Sequence, residues 1–263
     1  MYKLGLLGVG KMGSSILNGI LLKGLYPKED IAFYAPSIET QEKYQKLGIK
    51  LLKDERELMN SSNIIIMAIK PQVYDEVLEK VKDLDFSNKI VISLAPGKSI
   101  NYLSKFYNNA LIVRAMPNTP AIINQAVTTL CFSDKEVQEE IINIFKAIGT
   151  YVVVEEKQID EAIPMNGSMP AYIFEFIKEF INKGMSYGFT YDESFQLVVN
   201  TIISSCNLAK ESSDDIDTLI NNVCSKGGST IEGLKKLRNN GFGDAIDKCF
   251  DACIKRSKEL GNV

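Results

Sequence analysis

Apolar positions along this chain follow two spacings, and the change from one to the other marks its organisation. In the first part, short apolar runs rich in β-branched residues alternate with stretches where apolar residues recur every three or four positions. The runs predict strands at residues 4–7, 31–34, 63–69, 89–94, 110–113, 126–132 and 151–154. Helices are predicted between them, among them residues 133–148, with Ser133 as N-cap and Gly149 as stop. Residues 63–69, NIIIMAI, are almost wholly apolar, as a parallel strand covered on both faces requires. The alternation predicts an α/β fold built on a doubly wound parallel sheet, whose ligands bind outside the carboxyl ends of the strands.

Beyond Gln158 the strand-like runs cease. Helical spacing predicts helices over residues 171–187, 192–210, 214–223, 230–239 and 244–260. The sequence therefore divides into a sheet domain at 1–157 and an all-helical domain at 158–263. Tyr172, Ile173, Phe174, Phe176, Ile177, Phe180 and Ile181 place apolar groups on more than one face of the first long helix, more than a small bundle can hide. A homodimer through these helices is expected.

The first strand stops at three glycines spaced Gly8-x-Gly10-x-x-Gly13, and helical spacing follows through Ile16, Leu17, Ile20 and Leu21. Gly8 permits the turn, Gly10 removes a side chain that would hold a pyrophosphate off the backbone, and Gly13 lets the helix lie close to the strand. Amides at the helix start then face the phosphates. This is the fingerprint of a Rossmann-type dinucleotide-binding domain.

Composition narrows the chemistry. The chain has 263 residues, 45% of them hydrophobic, and a net charge of −3 with no basic block, which argues against nucleic-acid binding. No apolar run approaches the roughly 18 residues of a membrane span, and the first strand starts too early to leave room for a signal peptide, so the expected compartment is the cytoplasm. The five cysteines include no C-x-x-C; Cys249 and Cys253 share a helix, where packing is the expected role, and no metal site is expected. There is no histidine. Triads that use imidazole, His-ligated zinc and a His base are all excluded.

Several connections carry candidate chemistry. The second strand ends at Ala35-Pro36-Ser37, where an NAD-specific site would place a carboxylate; a small uncharged corner with a hydroxyl leaves space for a 2′-phosphate and favours NADP. Lys53 and Arg56 are cations available nearby, or simply the solvated start of a helix. Ala68-Ile69-Lys70-Pro71 and the stretch from Arg114 to Pro120 both fall at the carboxyl edge of the sheet. The latter is either a rigid turn or a ligand contact. Cys224-Ser225-Lys226-Gly227-Gly228-Ser229-Thr230 offers adjacent glycine amides and hydroxyls at a helix start, which suits either a carboxylate site or a capped hinge.

Taken in order, GVGKMG, AIKPQ, RAMPNTP, NGSMPAY and VCSKGGSTIEGL resemble the motifs of the pyrroline-5-carboxylate reductase family, nearly end to end. The resemblance implies an oxidoreductase of proline biosynthesis that reduces 1-pyrroline-5-carboxylate to L-proline with NADPH or NADH, assembled as dimers and often as rings of dimers. It implies cofactor contacts at Leu7, Gly8, Val9, Gly10, Lys11, Met12, Ala35, Pro36, Ser37, Ala68, Ile69, Lys70 and Pro71, with Asn118 near the nicotinamide. It implies a substrate cradle of Asn222, Ser225, Gly227, Gly228 and Ser229, with the Thr230 hydroxyl near the ring nitrogen as the catalytic group. The family usually has SGSGPAY where this chain has NGSMPAY, so Asn166 stands for Ser and Met169 for Gly, and Lys226 stands for Pro. An Asn that helps bind the 2′-phosphate in some members falls at Glu55. Two other readings share the fold: a β-hydroxyacid dehydrogenase, for which the expected Lys base is missing from the start of the long helix, and a non-catalytic NADP-binding regulator.

Overall fold

The structure is a computed structural model and describes residues 1–261. Strand β1 (Tyr2–Leu7) leads through the glycine turn into α1 (Lys11–Lys23), and β2 (Ile31–Tyr34) leads into α2 (Ile38–Lys46). A two-residue β3 (Lys50–Leu51) is followed by α3 (Glu55–Ser61), β4 (Ser62–Met67), α4 (Tyr74–Val81), β5 (Ile90–Ser93) and the single turn α5 (Ile100–Leu103). Next come β6 (Leu111–Pro117), β7 (Ala126–Phe132), α6 (Gln138–Lys146), β8 (Gly149–Val153) and a short α7 (Glu156–Ile159). The remainder is helical: α8 (Met169–Ser186), α9 (Tyr191–Glu211), α10 (Ile216–Val223), α11 (Ser229–Asn239) and α12 (Phe242–Gly261).

All strands join one sheet in the order β3-β2-β1-β4-β5-β6-β7-β8. Both faces are covered, which is why the central strands are continuously apolar. Leu4, Leu6, Ile64, Ile66 and Val113 pack with Ile16, Leu17 and Ile20 of α1 and Ile144 of α6. The alternate residues Leu7, Ile65, Met67 and Ile112 pack with Leu58 of α3 and Val77, Leu78 and Val81 of α4.

The sheet departs from the sequence expectation at one end. β6 runs on to Pro117, and β7 returns antiparallel to it, pairing Val113 with Phe132 and Pro117 with Thr128. Residues 118–125 are too few for a parallel crossover, which takes about a dozen or more, so the chain turns back. Ser133 is not the cap of α6. Its Oγ accepts the Ile112 amide at 2.9 Å, fastening the end of β7 to β6, and α6 begins only at Gln138. Gly149 opens β8 instead of closing α6; its φ of 152° and the Ala126 backbone, which any Cβ there would overlap, restrict the position to glycine.

The chain condenses into two compact units, one of Met1–Pro170 with the end of α12 from Cys253, the other of Ala171–Ala252. In the second, α8 and α9 approach closely where Gly184 meets Ser194: a Cβ on Gly184 would lie 2.6 Å from the Ser194 Oγ. Ser194 is the one buried residue of α9, and α10 and α11 bury none. Phe180 and Leu197 stay 50% and 59% exposed along an apolar groove of Phe176, Phe180, Leu197, Val198 and Ile202. Among the described residues, no helix is long and apolar enough to cross a membrane.

Candidate active site

The three glycines act differently in space. Gly8, at φ 86°, donates its amide to the Tyr34 carbonyl at the end of β2, 2.9 Å away. A Cβ on it would come within 2.7 Å of the Ala68 carbonyl oxygen. A Cβ on Gly13 would overlap the Gly8 carbonyl, so that glycine sets how closely α1 lies on the turn. Gly10 is exposed and a Cβ there would meet nothing within 4 Å. No side chain caps α1 at Gly10. The start of α1 is thus left open at Gly10, as an approaching pyrophosphate requires.

Around this turn the fold brings together the other predicted cofactor residues of the first unit. β1 lies between β2 and β4, so strand order reverses there and a crevice opens at the carboxyl edge. Leu7 and Val9 are buried, while Lys11 is exposed and Met12 half-buried. Ala35 is buried and its carbonyl accepts from Gln41 Nε2 at 2.7 Å; Pro36 and Ser37 are exposed, and Ser37 caps α2. Ala68 donates its amide to the Leu7 carbonyl at 2.8 Å. Ala68 and Ile69 line a cleft of about 190 Å³ with Met12, Leu94, Met116 and Pro117, and Lys70 and Pro71 follow in the chain without lining it. Met116 and Pro117 lie in the Arg114–Pro120 stretch read as a turn or a ligand contact, whereas Leu94 was not singled out, because only the lateral order of the strands brings it to this wall.

Asn118 sits beside that wall, but its carboxamide is committed to the backbone. Its Oδ1 accepts the Val127 amide at 2.9 Å and its Nδ2 donates to the Asn166 carbonyl at 3.4 Å. Asn166 in turn donates from Nδ2 to the Met116 carbonyl at 2.7 Å and to Thr129 Oγ1 at 2.9 Å. The two asparagines stitch the ends of β6 and β7 to the segment that precedes α8. Here the longer Asn side chain fills a role in this chain's own framework, and Met169, 36% exposed, heads α8.

Behind the cleft lies an ion cluster the sequence reading missed. Arg114, 2% exposed, holds both oxygens of Asp160 at 2.8 and 2.9 Å and lies 3.6 Å from Glu156. Asp160 also accepts the Gly97 amide, and Glu156 the Ile100 amide. Tyr74 donates to Ser93 Oγ at 2.8 Å, and burial pushes its hydroxyl well above the ordinary tyrosine range. Asp75 receives Tyr102 Oη at 2.6 Å and Lys98 Nζ at 2.9 Å; the Tyr102 hydrogen bond first, then Lys98, holds its carboxyl below the usual range. An arginine inside an apolar strand run was the available signal.

The predicted substrate residues gather in the second unit at the α10–α11 corner. Gly228 donates its amide to the Ser225 carbonyl at 2.9 Å, closing a turn whose Gly227 sits at φ 76°. Gly228 is the N-cap of α11 and contributes no side chain, so the first amides of the helix, from Ser229 and Thr230, lack a side-chain cap. Asn222, Ser225, Ser229 and Thr230 are exposed. Donors without acceptors beside a hydroxyl suit a carboxylate.

An open glycine turn beside a cleft at the carboxyl edge, where strand order reverses, defines the class: a Rossmann-fold oxidoreductase with a helical second unit. A family model described as pyrroline-5-carboxylate reductase dimerisation matches residues 156–260, and one described as NADP oxidoreductase coenzyme F420-dependent matches residues 3–97. The chain is 31% identical to the pyrroline-5-carboxylate reductase of Methanosarcina acetivorans, over 98% of each sequence. It is 28% identical to that of Escherichia coli, again over 98% of each. The crystal structure of Plasmodium falciparum pyrroline carboxylate reductase with NADP bound superposes with a TM-score of 0.88 at 30% identity, covering 99% of this chain and 98% of that one. The chain belongs to the pyrroline-5-carboxylate reductase family.

Proposed function

We propose that this chain reduces 1-pyrroline-5-carboxylate to L-proline, the last step of proline biosynthesis, with NADPH as the preferred cofactor and NADH as a lesser one. The observation that carries the reading is the α10–α11 corner, where free helix-start amides stand next to the Thr230 hydroxyl in a chain that also carries the Gly8 turn. NADPH, when bound, supplies the hydride. Leu7 to Met12 hold its pyrophosphate, Ala35 to Ser37 face the adenosine ribose, and Ala68 to Pro71 with Asn118 border the nicotinamide. The Met116–Asn166 stitch keeps that border in place.

The substrate residues divide their work. Amides of Ser229 and Thr230 take the carboxylate, helped by Asn222 and the Ser225 hydroxyl, while Gly227 and Gly228, whose amide closes on the Ser225 carbonyl, give the turn its shape. Thr230 Oγ1 orients the ring nitrogen and holds the proton there. A protonated cyclic imine accepts hydride at carbon directly, so positioning suffices and the absence of histidine is no handicap. Residues 1–157 carry the cofactor and 158–263 the substrate and the partner. A second copy covers the apolar faces of α8 and α9, which one chain leaves open, and such dimers can close into a ring. The cytoplasm is the compartment.

The experiment is initial-rate oxidation of NADPH and of NADH by the purified chain with pyrroline-5-carboxylate. Substrate-dependent cofactor loss with matching appearance of proline is expected. No proline from either cofactor would overturn the reading.

A further inference from the structure

We propose that Lys53 reads the 2′-phosphate of NADPH; the inference rests on the NADPH-dependent reading above and deepens it. In Rossmann domains the group that separates NADP from NAD stands at the end of the second strand, an acid for the ribose hydroxyl or a cation for the phosphate. Here that end, Ala35-Pro36-Ser37, has no charge. The neighbouring strand supplies it. β3 pairs in parallel with β2, Ala32 opposite Lys50 and Phe33 opposite Leu51, and the Leu52 amide donates to the Phe33 carbonyl at 3.0 Å. The exposed Lys53 follows Leu52 at the bend that leads from β3 into α3, on the same carboxyl edge as Ala35.

The four charged residues that follow Lys53, from Asp54 to Glu57, are already engaged. Arg56 grips both oxygens of Asp83 at 2.6 and 2.9 Å and also donates to the Lys80 carbonyl. Glu55, its side chain only 12% exposed, lies 2.8 Å from Lys80 Nζ, which also holds Glu76 at 2.9 Å. Asp54 caps α3 by accepting the Glu57 amide at 2.8 Å, and Glu57 accepts the Lys53 amide at 2.6 Å. The Lys53 ammonium has no ion pair or hydrogen bond among the described residues. The pairing with Lys80 also removes the objection that Glu55 raises, since its carboxylate is drawn to α4 and neutralised there. Ser37, whose Oγ accepts the Thr40 amide at 3.4 Å, keeps its hydroxyl hydrogen for a phosphate oxygen.

The test is calorimetric binding of NADPH, NADH and 2′,5′-ADP to the full chain without substrate. Lys53→Met should weaken NADPH and 2′,5′-ADP about tenfold, the scale of one charge-assisted hydrogen bond, and leave NADH unchanged. Lys53→Arg should restore both, and the salt dependence of NADPH binding should flatten in Lys53→Met only. Arg56→Met should alter none of the three. A wild-type chain that binds NADH as tightly as NADPH would overturn the proposal. So would a Lys53→Met chain with an unaltered NADPH to NADH ratio, or loss of selectivity in Arg56→Met. A chain that shows the Lys53 effect but forms no proline would uphold this inference while overturning the reductase reading.

Discussion

Arg114 and Asp160, 46 residues apart in sequence, meet through two hydrogen bonds from one guanidinium nitrogen in a setting where the arginine is 2% exposed. Such a pair is costly to break from one side, because the charge left behind stays buried. Asp160→Asn should lower unfolding stability by roughly 2–3 kcal/mol, below the full scale for buried pairs since Glu156 remains 3.6 Å away. Arg114→Met with Asp160→Asn should recover most of that loss. Urea denaturation of the two variants measures it.

Gly10 and Gly13 separate binding from folding. Gly13→Ala would push a methyl into the Gly8 carbonyl and lift α1 from its seat, at a cost of about 1–3 kcal/mol. Gly10→Ala meets open space, so stability should hold within about 0.5 kcal/mol while cofactor affinity falls. Melting curves recorded with and without NADPH distinguish the two.

Thr230→Ala should lower kcat roughly 10- to 100-fold, the effect of losing one hydrogen bond made in the transition state. The side chain is exposed in the chain, so the unfolding midpoint should not move. Steady-state rates of proline formation provide the check, and unchanged rates would remove Thr230 from the mechanism.

Leu197 is 59% exposed in the α8–α9 groove and carries little of the single chain's packing. If a second copy covers it, Leu197→Glu buries a carboxylate at the contact and dissociates the assembly. Sedimentation should show the molecular mass falling to that of one chain. An unchanged mass would place the partner surface elsewhere.

Asp75 gives the fold an acid-sensitive contact. Its carboxyl is held below the ordinary value, so the stabilisation is complete above the unfolded-state value and fades as pH falls through the folded one. Asp75→Asn should be less stable than wild type near neutrality and converge with it in strong acid. Thermal melts across that range report the convergence.

Much of this was legible in the sequence where the information is local. The Gly8 turn, the buried strand β4 and the five long helices each follow from spacing within a dozen residues or so. What escaped depends on partners far along the chain. Ser133 has the appearance of a cap, yet its hydroxyl goes to Ile112 on a neighbouring strand. The direction of β7 is set by the short connection before it, and no pattern inside the strand records it. Glu55 read alone is an acid near a phosphate site; only the packing of α3 against α4 shows it neutralised by Lys80.

The reversal at β7 has one more effect. Because β8 runs parallel to β7, the chain leaves the sheet heading away from the edge where ligands bind, and must climb back before α8. Asp160 catches it on Arg114 partway up, and Asn166 catches it on the Met116 carbonyl at the top. Two anchors at fixed heights make residues 154–166 a measured span. Exposed positions along it are free to change in kind, but the count of residues between the anchors is not free to change, and a single insertion there would be felt at the Met116–Pro117 wall of the cleft.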